Sequence, residues 1–101
     1  MQNKTADTEL IALVLNGNQS GYAELVKRHQ RFVFTLALRF SKSREDAEEI
    51  SQDCFIKAYP FLHTFKQTSK FSTWLYSIVY TTAMTSLRKK RLDTKSVDEE
   101  L

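Results

Sequence analysis

Residues 71–91 read FSTWLYSIVYTTAMTSLRKKR. Apolar and aromatic side chains recur every three or four positions, and neither glycine nor proline interrupts the stretch. Because residues three and four apart share one face of a helix, this spacing predicts an amphipathic helix from about Phe71 to Arg91. Its inward face is predicted to carry Phe71, Trp74, Leu75, Ile78, Val79 and Thr82. Its opposite face is predicted to carry Thr73, Tyr76, Ser77, Tyr80 and Met84.

Three more helices are predicted upstream of this one. Their expected bounds are Thr8–Asn16, Ser20–Phe40 and Ser43 to about Pro60. Asp7 or Thr8 is the expected N-cap of the first helix, and Gly17 ends it. The second helix is apolar almost all round between Phe32 and Phe40, which predicts a central, buried position. Ser43 followed by Asp46 resembles a capping box at the start of the third helix.

Composition agrees with a single helical domain. The chain has 101 residues, 42% of them hydrophobic, with only two glycines and one proline. All-β folds need many turn residues, so the expected fold is all-α, a compact bundle of about four helices. Residues 1–91 are expected to form this domain. Residues 92–101 are polar and are expected to begin a disordered linker between domains.

Positive charge is concentrated in one third of the chain. Residues 1–60 hold eight basic and eight acidic side chains, whereas residues 61–91 hold six basic and no acidic ones. The last ten residues hold one lysine and four acidic side chains. A local excess of this kind predicts an anionic partner for residues 61–91.

Several classes of function lack support in the sequence. One cysteine cannot form an internal disulfide, and Cys54, His29 and His63 do not have metal-ligand spacing. His29 is expected to be a partly buried, hydrogen-bonded side chain, and Cys54 a small core residue. No catalytic set or phosphate-binding glycine loop is present, so neither an enzyme nor a cofactor is expected. The sequence shows neither a signal peptide nor a long apolar run, so membrane insertion is not expected. A cytoplasmic protein is expected instead.

The fourth helix and the loop before it suit single-stranded nucleic acid. Tyr76 and Tyr80 share a face on which bases could stack, and a basic run follows at residues 88–91. The loop supplies Lys66, Gln67, Ser69 and Lys70. The alternative is structural: half-buried tyrosines and a solvated basic helix end that the helix dipole favours. The pattern alone does not separate these two interpretations.

The third helix carries carboxylates outside its apolar stripe. Residues 45–53 read EDAEEISQD, and such a surface suits a basic protein partner. The alternative is an ordinary solvated face with acids near a helix N-terminus. The pattern alone favours this alternative.

In order, these segments resemble region 2 of bacterial sigma factors of the extracytoplasmic-function (ECF) group. Residues 23–30, AELVKRHQ, look like the first conserved helix of that family, and residues 44–59, REDAEEISQDCFIKAY, resemble its polymerase-binding helix. Residues 65–66, FK, followed by residues 70–76, KFSTWLY, and the basic residues 88–91 resemble its promoter-melting segment. The resemblance spans residues 8–91, nearly the whole chain.

The resemblance implies partners and site residues. The third helix would dock on the clamp helices of the β′ subunit of core RNA polymerase through Asp46, Glu49, Gln52 and Asp53. The loop and fourth helix would bind the non-template single strand of the minus-ten promoter element, with a flipped base in a pocket of the loop. The DNA contacts implied are Phe65, Lys66, Gln67, Ser69, Lys70, Thr73, Tyr76, Tyr80, Thr81, Arg88, Lys89, Lys90 and Arg91. An anti-sigma factor is a further implied partner.

The chain departs from the family pattern in three ways. Asp53 stands where the family usually has glutamate, which shortens the arm that carries the charge. Tyr80-Thr81 stands where many members have Arg-Asn, so a bidentate contact is lost. The second domain of the family, which reads the minus-thirty-five element, is not expected within these 101 residues, and the chain is expected to lack full promoter specificity alone. The Tyr80-Thr81 departure also supports a rival interpretation: a helical adaptor or anti-sigma target without DNA binding.

Overall fold

The computed structural model describes the backbone of residues 6–100 and the side chains of residues 6–92. It contains α1 (Asp7–Leu15), α2 (Ser20–Phe40), α3 (Arg44–Phe61), a short 3-10 turn (Leu62–Thr64) and α4 (Phe71–Glu100). No strand occurs in residues 6–100. The prediction of an all-α bundle of four helices is therefore confirmed. None of these helices has the length and apolar character needed to cross a membrane.

The N-cap predicted for α1 was wrong. The helix begins one residue earlier, where the extended backbone of Ala6 accepts hydrogen bonds from the N–H groups of Glu9 and Leu10. The Glu9 carboxylate in turn accepts from the Ala6 N–H at 3.1 Å. Asp7 cannot cap the helix because its carboxylate pairs with α2. The predicted stop is confirmed, since Gly17 has a φ of 97° directly after the helix.

The start of α3 follows the predicted cap. Ser43 is extended, and its hydroxyl accepts the Asp46 N–H at 3.0 Å. Pro60 lies in the last turn of the helix, which ends one residue later and passes into the 3-10 turn. The polypeptide then crosses to α4 through the loop of residues 65–70.

The core lies around α2, which packs against α1, α3 and α4. The fully buried large side chains of this core include Ile11, Leu25, Val33, Ile50, Leu62, Leu75 and Val79. Gly21 lets α1 and α2 approach closely, because a Cβ there would lie 2.9 Å from the Leu10 carbonyl oxygen. The central position predicted for α2 is confirmed, but its apolar stretch between Phe32 and Phe40 is not buried throughout. Phe32 and Leu38 are 38% and 42% exposed, because the neighbouring helices cover only part of its circumference.

The inward face predicted for α4 is confirmed. Phe71, Leu75, Val79 and Thr82 are buried, and Trp74 and Ile78 are half-buried. The helix is longer than predicted, since it runs to Glu100 instead of ending at Arg91. Neither glycine nor proline follows Arg91, so nothing in the local sequence stops the helix. That residues 92–101 begin a linker stays a prediction, and the side chains after Leu92 lie outside the described residues.

Candidate nucleic-acid and protein interfaces

Three aromatic rings hold the loop of residues 65–70 against the start of α4. Phe65 lies 5.6 Å from Phe71 and 5.5 Å from Trp74, ring centre to ring centre. The Phe71 and Trp74 rings are 5.6 Å apart, and the His29 ring meets Phe71 edge-on. The half-buried Phe65, implied as a DNA contact, thus has much of its ring in this cluster. Its position there anchors the loop to the core.

The rest of the loop is open to solvent. Lys66, Gln67, Ser69 and Lys70 are all exposed, as a binding role requires. Gln67 adopts a φ of 60°, in the left-handed region that non-glycine residues seldom occupy. Lys70 directly precedes α4, and Lys66 lies four residues earlier in the same exposed loop.

The outer face of α4 presents the two tyrosines that the sequence placed together. Tyr76 and Tyr80 are 46% and 48% exposed. The Tyr80 ring packs edge-on against Phe40, with 5.6 Å between ring centres. That contact orients one tyrosine without covering it. Thr73 is exposed on the same face of the helix, and Thr81 is exposed on the flank that faces α3.

A ladder of hydroxyls runs along α4 next to the tyrosines. Ser77 donates to the Trp74 carbonyl at 2.6 Å, Thr81 to the Ser77 carbonyl at 2.8 Å, and Thr85 to the Thr81 carbonyl at 2.9 Å. Each proton is therefore directed into the helix backbone. The hydroxyl oxygens keep lone pairs that can accept a hydrogen bond from a partner. Sequence reasoning implied Thr81 as a contact but did not find the ladder.

A cleft of about 260 Å³ opens between α3 and α4 beside this ladder. Its lining combines rings, hydroxyls and one ammonium group: Lys57, Phe61, Thr64, Trp74, Ser77, Ile78, Thr81 and Thr82. Thr82 is 2% exposed, and its hydroxyl has no hydrogen-bond partner among the described residues. Sequence reasoning missed Lys57 and Phe61, because they lie on another helix.

The acidic surface of α3 divides into two parts. Glu49 and Gln52 are exposed on the stripe that points away from the core, as is Glu45 one turn earlier. Asp46 and Asp53 are less exposed and lie on the flank of this stripe. Of the four residues implied as polymerase contacts, Glu49 and Gln52 are therefore the most accessible. We call the exposed side chains of Glu45, Glu49 and Gln52 the acidic stripe.

Asp46 forms an ion pair with Lys90 of α4. Hydrogen bonding to the ammonium group lowers the pKa of Asp46 and raises that of Lys90. Both side chains are thus charged together near neutral pH. Lys90 was implied as a phosphate contact and Asp46 as a polymerase contact, so the two proposed surfaces meet at this pair. Arg88, Lys89 and Arg91 are exposed around it.

His29 and Cys54 have structural roles. His29 lies 2.8 Å from one oxygen of Asp7, and Arg28 donates to the other at 3.2 Å, which confirms the expectation of a hydrogen-bonded histidine. Cys54 is fully buried, as predicted, and burial raises the pKa of its thiol to about 12. Within the part of the chain that the structure describes, no group of three acidic, histidine or cysteine side chains could hold a metal ion.

Comparison with known proteins assigns a family. The sequence-family model for sigma-70 region 2 matches residues 25–92. The ECF RNA polymerase sigma-E factor of Escherichia coli is 39% identical over 83 residues, and SigW of Bacillus subtilis is 35% identical over 83 residues. These matches cover 82% of this chain but only 43% and 44% of the relatives. The chain thus spans less than half the length of these curated relatives.

A solved structure has the same architecture. It is an NMR structure of an engineered region 2 of sigmaE in complex with GTAAAA. The two chains superpose with a TM-score of 0.82 at 38% identity, over 89% of this chain and 94% of the other. The four-helix fold and the segment order found here are therefore those of a domain that, in that complex, is bound to GTAAAA.

Proposed function

The chain belongs to the sigma-70 region 2 family, in its extracytoplasmic-function group, and on that premise we propose that it binds core RNA polymerase and the minus-ten element of promoter DNA. The observation that carries the proposal is the placement of two different surfaces on one small bundle. The acidic stripe lies on α3, whereas exposed cations, tyrosines and hydroxyls lie on the loop and α4. One domain could thus hold a basic protein surface and an anionic strand together.

The nucleic-acid surface fits a single strand. Tyr76 and Tyr80 offer rings for stacking, which is worth roughly 1–3 kcal/mol per base. Lys66 and Lys70 stand at one end of that face, and exposed basic side chains of residues 88–91 stand at the other. Phosphate contacts of this kind set position and salt dependence, while stacking and base contacts set preference.

For the flipped base we propose the cleft beside Trp74, which lies between α3 and α4 and not in the loop where the resemblance placed it. Unstacking a base costs a few kcal/mol, which ring contacts and hydrogen bonds in the pocket would offset. The Ser77–Thr81 part of the ladder presents acceptors, so a base with an exocyclic amino group would be favoured there. The family asparagine can both donate and accept, whereas Thr81 donates to its own helix. We therefore expect this chain to prefer a different base at this position from relatives that carry the asparagine.

The acidic stripe of α3 is proposed to dock on the clamp helices of the β′ subunit. The test is binding of the chain to core RNA polymerase, compared with a Glu49→Ala, Asp53→Ala variant. Binding that the variant loses supports the docking face. No binding at tens of micromolar by a folded sample would contradict it. An anti-sigma factor that covers these surfaces is the further partner we propose.

A second candidate is a helical adaptor that keeps the fold without DNA binding. The observation in its favour is Tyr80-Thr81, which lacks the basic side chain and the amide of many relatives. Binding to a single-stranded minus-ten oligonucleotide at several salt concentrations separates the two. Salt-sensitive binding supports the sigma role. Its absence, with polymerase binding intact, supports the adaptor.

A further inference from the structure

An apolar patch lies on α3 beyond the acidic stripe. Ile56 is 69% exposed, more than any other large hydrophobic side chain of the described residues, and Tyr59 is 41% exposed. Together with Tyr22 and Phe55 they line a shallow depression of about 330 Å³. We call these four side chains the Ile56 patch. Apolar surface of this kind, left in water, is stabilised when a partner covers it.

The patch is held rigid from within the fold. The Tyr22 hydroxyl donates to the Phe55 carbonyl oxygen at 2.5 Å. The rings of Tyr22 and Tyr59 meet edge to face, with their centres 4.9 Å apart. Because the Tyr22 hydroxyl is bonded inside the domain, the side chain presents its ring to the depression. A preformed apolar surface loses little conformational entropy when it is covered.

The patch continues the acidic stripe along the same side of the helix. Ile56 follows Gln52 by four residues and Glu49 by seven, so all three share one face. Seven residues of helix correspond to about 10 Å. The exposed face of α3 therefore changes from acidic to apolar within two turns. One partner could contact both parts.

We propose that the Ile56 patch is the apolar anchor of the polymerase-docking face. The inference rests on the proposed function. The partner surface that fits has an apolar side chain one to two turns from basic side chains, so that the acidic stripe and the patch are covered together. A second copy docked on this face would leave the acidic stripes opposed or unpaired, which disfavours self-association. Interfaces of this type have an apolar centre and a charged rim, and few side chains carry most of the affinity.

The test uses core RNA polymerase and the full chain. Ile56→Ala should weaken binding by at least about tenfold, as expected for a central anchor. Leu15→Ala is the matched control, since Leu15 is 53% exposed on α1 and outside the docking face. Its affinity should stay within about twofold of the unmodified chain. Because Ile56 is exposed, neither its truncation nor its replacement by a polar residue should unfold the domain.

Charge variants test the nature of the partner. Ile56→Lys should bind more weakly than Ile56→Glu if basic side chains lie nearby on the polymerase. Equal affinities for Ile56→Ala and the unmodified chain, with Glu49→Ala, Asp53→Ala still impaired, would overturn the anchor and leave the proposed function standing. If the folded chain does not bind core polymerase at all, both the apolar anchor and the proposed function are contradicted. A dimer in sedimentation that Ile56→Ala dissolves would assign the patch to a second copy and overturn the inference.

Discussion

Lys90 of α4 donates a hydrogen bond to the carboxylate of Asp46 in the first turn of α3. The two residues are 44 positions apart in the chain. Lys90 is a proposed DNA phosphate contact and Asp46 a proposed polymerase contact. A protein partner that engages Asp46 would therefore release the Lys90 ammonium group for DNA. The ion pair links the two surfaces of the domain.

Removal of the Asp46 charge should strengthen binding to single-stranded DNA. In Asp46→Asn the Lys90 ammonium loses its carboxylate partner and becomes available to a phosphate. Since exposed ion pairs are weak, we expect a gain of about two- to fivefold at low salt. The slope of log affinity against log salt should steepen by about 0.7, the value for one more phosphate contact on a single strand. Fluorescence anisotropy with a labelled oligonucleotide measures both quantities.

Glu48→Gln is the matched control for this experiment. It removes one negative charge from the same helix, but Glu48 lies 3.7 Å from Arg44 and is no partner of Lys90. General electrostatic attraction would raise the affinity of both variants equally. An equal effect would show that the Asp46–Lys90 pair has no specific influence on DNA binding.

Local sequence patterns predicted those parts of the fold that depend on near neighbours. Ser43 and Gly17 mark helix ends through their own backbone geometry, and three- and four-residue spacing located the buried side of α4. Asp7 was mistaken for a cap because its partners, Arg28 and His29, lie on another helix. Which neighbours a side chain meets across the bundle is not encoded in local spacing.

The same distinction applies to the candidate sites. The exposed loop lysines and the Tyr76–Tyr80 pair follow from periodicity within α4 and the loop before it. The cleft needed Lys57 beside Trp74, and the ion pair needed Asp46 beside Lys90, both between different helices. Ile56 was not considered in the sequence analysis, although the buried stripe of α3 at Ala47, Ile50, Cys54 and Ala58 leaves it on the opposite side of the helix. Its exposure was therefore predictable from spacing alone, whereas the contacts of Tyr22 that complete the Ile56 patch, made from α2, were not.

The loop lysines should contribute to the salt dependence of DNA binding. Lys66→Ala, Lys70→Ala removes the two exposed ammonium groups before α4, so single-strand affinity should fall and the salt slope should decrease by about 1.4. Lys27→Ala, Lys42→Ala removes the same charge from exposed positions outside the proposed DNA surface. If both double variants gave the same slope, the loop would not be a phosphate contact.

Alkaline pH should destabilise the domain in part through Cys54. Burial raises the pKa of its thiol from 9.0 to about 12. The stabilising contribution is fully present below pH 9, where the thiol is neutral in both states. It is lost as the pH rises toward about 12, because the unfolded state ionises first. In urea unfolding between pH 8 and 11, the free energy of unfolding should therefore decline with rising pH, and this decline should be less steep in Cys54→Ala. Parallel declines would show that Cys54 is not linked to the transition.

Gly21 should resist substitution although alanine is the better helix former. A Cβ at this position would approach the Leu10 carbonyl oxygen to 2.9 Å, and backbone atoms cannot move aside easily. We expect Gly21→Ala to lower the free energy of unfolding by about 1–3 kcal/mol. Ala23→Gly, at an exposed position on the same helix, measures the difference in helix propensity between alanine and glycine alone, and should lower the free energy of unfolding by about 1 kcal/mol. A stabilised Gly21→Ala variant would mean that α1 and α2 are not in such close contact.

Trp74 should be needed for stability before any role in DNA binding. Its half-buried ring packs against Phe65 and Phe71 and also lines the proposed base pocket. Trp74→Ala removes these contacts and should lower the free energy of unfolding by about 3 kcal/mol, the lower end for large aromatic residues in a core. Trp74→Phe keeps a ring in the cluster and should lose less than half as much. Urea denaturation of both variants gives the comparison. An unchanged midpoint for Trp74→Ala would place the indole in solvent, where it could stack on DNA, and the aromatic cluster would not anchor the loop.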